Sequence, residues 1–215
     1  MFKKIDFLIA LYVFCTLVAE LMGSKTFPIF SFGNFKLNAS TSIFLIPIIY
    51  SINDIITEVF GSKRTRGIIR INIIMIFLLS VVAIFFTSLP PSTRYIKSEP
   101  AYDLIFRQSA RISIASLLAF AIADLLDLAI FMKIRKSLGK KALWFRNNVS
   151  NIISLFFDTT IFITLAFYAL DQSFMSNYSF LASIIFPYWL LKCFMSVIET
   201  PLVYLGVKWL KGEQK

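Results

Sequence analysis

Six long apolar segments most limit what this 215-residue chain can fold into, because its hydrophobic residues, 58% of the total, are concentrated in them. A helix of about 20 apolar residues crosses the hydrocarbon core of a bilayer. Short charged connections separate the segments. The sequence therefore predicts an all-α polytopic membrane protein, a single domain over 1–215, with transmembrane helices near residues 5–23, 39–60, 69–89, 110–132, 149–170 and 180–209.

Lysine and arginine are unevenly distributed among the connections. Fifteen of the 22 cations lie before the first segment or after the second, fourth and sixth, and six lie in or beside the first and third connections. Cytoplasmic loops carry an excess of such cations, so both termini are predicted to be cytoplasmic. The external connection 89–111 is expected to form a structured cap. The same distribution argues against a nucleic-acid partner, despite the net charge of +10.

Several classes of chemistry are excluded by what the sequence lacks. There is no histidine, which removes His-based acid–base catalysis, Ser-His-Asp hydrolysis and His-ligated metals. Cys15 and Cys193 lie inside apolar segments, where a small buried side chain is favoured over a disulfide or a metal ligand. No Walker A sequence occurs. We expect no enzyme activity, no cofactor and no bound metal.

Apart from Asp6 at the start of the first segment, seven of the twelve acids lie inside apolar segments. An unpartnered charge near the centre of a membrane helix costs roughly 3 kcal/mol, so these acids must be protonated, partnered, interfacial or in a polar cavity. A solute pathway would account for such acids, although polar contacts that hold helices together are the competing interpretation. The seven are Glu20, Asp54, Glu58, Asp124, Asp127, Asp158 and Glu199.

Polar residues also form stripes at helical spacing. Asp54 and Glu58 lie one turn apart on one face of the second segment, just before Gly61 and a basic cluster. That cluster is expected to set topology and contact lipid phosphates, or to place Arg66 in a gating role against the two acids. The third segment has few polar residues and is predicted to be the most lipid-facing. The other stripes are Ser116, Phe120, Asp124 and Asp127; Asn147, Asn151, Ser154 and Asp158; and Tyr188, Lys192, Ser196 and Glu199.

Four blocks of the chain resemble, in the correct order, the queuosine-precursor transporter family, also called the vitamin uptake transporters. In the first block, Asp54, Glu58, Phe60-Gly61 and Arg66 match D-x-x-x-E-x-[YF]-G-x-x-x-A-R, except that Thr65 stands in place of Ala. The others run from Phe106 to Asp127, including Arg111 and Phe120, from Ser150 to Thr159, and from Lys192 to Pro201.

The resemblance implies a six-helix importer of 7-deazaguanines, such as preQ0, preQ1 or queuine, in the inner membrane. One carboxylate can accept both N–H groups of a guanine-like edge, a role suited to Glu58, Asp127 or Asp158. Asn151 or Lys192 would suit the O6 atom, unless Lys192 acts only as the counter-ion of an acid. Tyr50, Phe120 or Tyr188 could stack on the base. The remaining candidates are Asp54 and Glu199 for substrate, with Arg66 and Arg111 for gating or structure.

Other functions are compatible with the same segments. Substrate-capture subunits of ATPase-driven vitamin importers have a similar six-helix architecture, although the first segment offers only Ala10 and Ala19 in place of their alanine docking face. A structural membrane protein and an intramembrane aspartyl enzyme are the alternatives from other classes. The signatures of membrane proteases are absent from the apolar segments, and the pair Tyr102-Asp103 lies in the predicted external connection. The sequence leaves open a homo-oligomer, an ATPase partner and the coupling ion.

Overall fold

The computed structural model describes residues 3–32, 35–138 and 143–212, and it describes no side chains for 30–37, 62, 124, 127–128, 131–132, 134–148, 150–151 and 195–202. Helices dominate this part of the chain. The α-helices are α1 (Lys4–Met22), α2 (Ile46–Phe60), α3 (Ser62–Phe86), α4 (Glu99–Leu138), α5 (Leu143–Phe167) and α6 (Phe174–Lys211). Between α1 and α2 lie the strands β1 (Thr26–Phe32) and β2 (Phe35–Ser40) and a 3-10 helix at Thr41–Phe44.

The helices alternate in direction between the two ends of a bundle. At one end the Lys4 ammonium donates a hydrogen bond to the carbonyl of Trp209, 2.8 Å away, so the first and last helices meet there. At the other end Ser109 of α4 donates to Leu21 of α1, and Arg107 donates to Thr87 beyond α3. We call the first the termini end and the second the hairpin end, after the β-hairpin that β1 and β2 form there.

Five helices form a closed ring. Each of α2 to α6 packs against the next, and α6 returns to α2. The first helix packs against α2, α3 and α4. At the termini end an apolar cluster joins α1, α2, α3 and α6 around residues such as Tyr12, Ile56 and Leu210. A second cluster, around Ile163, Ile184 and Tyr188, lies toward the hairpin end.

The structure corrects several predicted boundaries. The fourth helix ends at Leu138, not near 132, and the fifth and sixth begin at Leu143 and Phe174, not near 149 and 180. The second helix begins at Ile46, not near residue 39, because 35–40 form a strand. The third begins at Ser62, so most of the predicted basic connection is helical. The fourth begins at Glu99, within the predicted external connection, because Pro100 is tolerated in a first turn and Asp103 and Arg107 form an ion pair one turn apart. A search for apolar runs misses such a polar helical extension.

The β-hairpin is an addition to the predicted all-α architecture. Its antiparallel strands pair from Thr26 with Ser40 to Phe32 with Phe35. The strand β2 packs on α6, where the Asn38 amide donates to the Ser183 hydroxyl over 2.8 Å. Alternating apolar residues on either side of Gly33-Asn34 are the sequence signal for this hairpin.

The length and composition of the helices fit a membrane protein. Within the described residues, four stretches are long and apolar enough to cross a bilayer: Lys4–Met22, Thr41–Phe60, Lys63–Phe86 and Glu99–Ala123. A shorter apolar stretch covers Ile152–Phe167. The third helix exposes many large apolar side chains, including Ile74, Phe77 and Phe85.

Candidate functional site

A cavity of about 170 Å³ lies between the helices, next to the hairpin. Every helix except α3 contributes to its wall, together with the 3-10 helix. The wall combines charged, hydroxyl and aromatic side chains, which distinguishes it from the apolar clusters on either side. The lining residues are Thr16, Ala19, Glu20, Ser42, Ile46, Ile49, Tyr50, Ile112, Ser116, Asp158, Phe162, Tyr188 and Lys192.

An ion pair joins two of the cavity helices. The Lys192 ammonium of α6 lies 2.6 Å from Asp158 Oδ2 of α5, and the Lys192 residue is buried. The Lys192 side chain is 10% exposed and that of Asp158 is 22% exposed. The carboxylate supplies the countercharge that a buried ammonium requires, and it keeps one edge open toward the cavity.

A third ionisable group, Glu20 of α1, has a different environment. The residue is 6% exposed, and none of the described residues donates a hydrogen bond to its Oε2 atom. Ser113 and Ser116 of α4 lie beside the carboxylate. The Ser113 hydroxyl is also buried and has no hydrogen-bond partner in the described part of the chain. The cavity therefore contains hydrogen-bonding capacity that the surrounding protein does not use.

Tyr188 connects the cavity to the hairpin. Its hydroxyl group donates to the Ser40 carbonyl over 3.1 Å and lies 2.9 Å from the Ser42 hydroxyl. Tyr188 is 2% exposed, and its ring packs in the apolar cluster that also contains Ala39. These contacts hold the end of β2 and the 3-10 helix against α6, beside the cavity.

Four of the predicted substrate-binding residues, Tyr50, Asp158, Tyr188 and Lys192, line this one cavity. Three others lie elsewhere: Phe120 is exposed on α4, and Asp54 and Glu58 are on the exposed face of α2. The side chains of Asp127, Asn151 and Glu199 lie outside the described residues.

The two arginines predicted for gating or structure occupy different positions. Arg66 is exposed in the first turns of α3. Arg111 of α4 donates from Nε to the Leu165 carbonyl over 2.8 Å and from Nη2 to the Tyr168 carbonyl over 2.6 Å. Both acceptors lie at the C-terminal end of α5, where carbonyls lack helical partners. In this structure Arg111 therefore caps α5 and fixes it to α4.

Five lining residues were not predicted from the sequence as part of the binding site: Thr16, Glu20, Ser42, Ser116 and Phe162. Glu20 was recognised only as one of seven acids in apolar segments. Its i, i+4 spacing with Thr16 on α1 is a signal that could have identified it. Ser42 reaches the cavity only because the hairpin folds back toward α6, which no periodicity in the sequence reveals.

A larger groove of about 510 Å³ lies between α3, α4 and α5 at the hairpin end. Its wall is mostly apolar, and Arg107 and Arg111 are already bonded to Asp103 and to the end of α5. The smaller cavity has the uncommitted polar atoms, so it is the better candidate site. Among the described residues no group of His, Cys, Asp and Glu could hold a metal ion.

Comparison with known proteins decides the class of this chain. The family described as "Putative vitamin uptake transporter" matches residues 40–206, which is most of the sequence. The chain belongs to this family. It is therefore a multi-pass membrane protein of a transporter family, not an enzyme, as the sequence predicted.

Three relatives have names that specify a solute. A "Probable queuosine precursor transporter" of Bacillus subtilis is 26% identical over 203 residues, covering 94% of this chain and 84% of the relative. A protein of the same name from Haemophilus influenzae is 26% identical over 167 residues, which cover 77% of this chain and 67% of the relative. The "Queuosine precursor transporter" of Escherichia coli is 25% identical over 138 residues, which cover 63% of this chain and 58% of the relative. No solved structure matches the chain.

Proposed function

We propose that this protein imports queuosine precursors, which are 7-deazaguanine bases, across the cytoplasmic (inner) membrane for tRNA modification, and that they bind in the cavity beside the hairpin. The observation that carries the proposal is the cavity wall itself, where the Lys192–Asp158 pair, Glu20 and three aromatic residues meet. The names of the three relatives supply the substrate class.

The volume of the cavity favours a small solute. At about 170 Å³ it holds the equivalent of five or six water molecules and is below the roughly 300–1,000 Å³ of pockets for drug-sized ligands. A single bicyclic base is on this scale, whereas a nucleoside would need space for a ribose. The smaller precursors preQ0 and preQ1 fit this volume better than queuine, which carries an additional ring.

The chemistry of the wall matches that of a 7-deazaguanine. Its six-membered ring presents N–H donors beside a carbonyl acceptor, and its flat faces are apolar. Carboxylates accept N–H donors, an ammonium or a serine hydroxyl donates to the carbonyl, and aromatic rings pack on the faces. Tyr50, Phe162 and Tyr188 are the aromatic residues of the wall.

We further propose six membrane spans with both termini in the cytoplasm. The contact between Lys4 and Trp209 places the start of α1 and the end of α6 at the same end of the bundle, and the sequence assigns most cations to that side. The cavity and the hairpin then face the outer half of the bilayer. A solute arriving from outside would meet the hairpin first.

The test is the queuosine content of tRNA in a bacterium that can neither make nor import the precursors. This chain is expected to restore queuosine when preQ0 or preQ1 is supplied. Asp158→Asn is expected to abolish restoration at equal expression, and Asp103→Asn, at an ion pair outside the cavity, is expected to preserve it. Correct insertion without restoration by any precursor would contradict the proposal.

A further inference from the structure

We infer that Glu20 recognises the N1–H and N2–H edge of the base and so selects for bases that carry a 2-amino group. This inference rests on the proposed function and adds a specificity-determining residue to it. The starting observation is that Glu20 lines the cavity, is 6% exposed and has a carboxylate oxygen, Oε2, that none of the described residues donates to.

The acids whose side chains are described differ in how available they are. Asp158 already accepts the Lys192 ammonium at 2.6 Å through Oδ2. Asp54 and Glu58 do not line the cavity and lie on the exposed face of α2. Of these acids, Glu20 combines a position in the wall with a buried and unused acceptor. A ligand that donates hydrogen bonds would satisfy it.

A carboxylate and a guanine-type edge are complementary because two parallel N–H groups can bond to the two oxygens. Beside Glu20, the Ser116 hydroxyl also lines the cavity and can donate to the neighbouring carbonyl of the base. The same ligand edge therefore satisfies the buried Glu20 acceptor and contacts a donor next to it.

Hydroxyl groups fix the end of α1 that carries Glu20. Ser109 of α4 donates to the Leu21 carbonyl at 2.7 Å, and Thr41 donates to the Met22 carbonyl at 2.6 Å. Ser40 donates to the next carbonyl, that of Gly23. These bonds satisfy acceptors at the C-terminal end of the helix and hold it against α4 and the hairpin. The backbone that carries Glu20 is thus held in place before a ligand binds, which favours selective recognition.

The test compares two bases that differ only in the 2-amino group, 7-deazaguanine and 7-deazahypoxanthine, by calorimetric titration of the purified full-length protein. A charge-assisted hydrogen bond corresponds to about a 10- to 100-fold difference in affinity, so the wild type should prefer 7-deazaguanine by that factor. Glu20→Gln, which keeps the shape but turns one acceptor into a donor, should reduce the preference to about onefold. Glu20→Ala should have the same effect and serves if the Gln variant does not fold.

Asp158→Asn is the matched control, because it alters the other carboxylate of the cavity wall. Asp158→Asn should lower the affinity for both bases by the same factor and so keep the preference for 7-deazaguanine. The inference is overturned if Glu20→Gln or Glu20→Ala keeps the preference, if Asp158→Asn is the variant that loses it, or if the wild type binds both bases equally. Binding of neither base by the wild type would overturn the proposed function as well.

Discussion

The ion pair between Lys192 and Asp158 should make a large and measurable contribution to stability, because it is buried within the helix bundle. Removing one partner of a buried pair costs about 3–5 kcal/mol, mostly because the other charge is left uncompensated. The two side chains are 10% and 22% exposed, respectively. Asp158→Asn leaves the more buried charge, the Lys192 ammonium, without its partner. This variant should therefore destabilise the protein more than Lys192→Met.

A double-mutant cycle measures this contribution directly. The free energy of unfolding is obtained by titrating SDS into mixed micelles and following helix content by circular dichroism. We expect losses of about 4 kcal/mol for Asp158→Asn and about 3 kcal/mol for Lys192→Met. The double variant has neither charge, so its loss of unfolding free energy should be at least about 1.5 kcal/mol smaller than the sum of the two single losses.

The pair between Asp103 and Arg107 provides the control, because its arginine side chain is 65% exposed. Asp103→Asn should cost less than about 1 kcal/mol. Losses from Asp158→Asn and Lys192→Met that add to within about 0.5 kcal/mol in the double variant would refute the argument. In that case the 2.6 Å contact would not be a buried, coupled ion pair.

Two further predictions concern helix packing, with the same unfolding assay. Gly206 of α6 faces Ile55 of α2, and a Cβ atom there would lie 2.8 Å from Ile55 Cγ1, so Gly206→Ala should cost about 1–3 kcal/mol. Gly67 of α3 has open space around it, so Gly67→Ala should be neutral or should stabilise the protein by up to about 1 kcal/mol. Equal effects of the two glycine substitutions on stability would contradict this account. Arg111→Met should lower the free energy of unfolding by about 1.5–3 kcal/mol, because the end of α5 loses two charge-assisted hydrogen bonds. Arg111→Lys should restore less than half of that loss, since an ammonium cannot reproduce the two bonds of the guanidinium. Full restoration by lysine would contradict this account.

The apolar segments gave reliable helix positions but poor helix ends. Hydrophobicity reports only the part of a helix that must be compatible with lipid, so it missed the polar first turns of α3 and α4. Near residue 39 the apolar run continues through a strand and a 3-10 helix before α2 begins at Ile46. There the chain bonds to α1 and α6, and these tertiary contacts outweigh local helical preference.

Helical spacing found some residues of the site and overlooked others. The stripes on α5 and α6 included Asp158, Tyr188 and Lys192, which meet at the cavity. The Asp54–Glu58 pair, which has the clearest spacing, lies on an exposed face of α2 instead. Periodicity identifies a polar face of one helix, but the direction of that face depends on how the helices are rotated against each other.

The sequence by itself determined the membrane class and the family, because each depends on local composition or on motifs in order. Tertiary structure alone decided which acids share a cavity. Glu20 lies far from Asp158 and Lys192 in the chain, and packing of α1 against α4, fixed by the bond from Ser109 to Leu21, carries it to the same wall. Burial and pairing of a charge depend on all the helices around it, so no single segment specifies them.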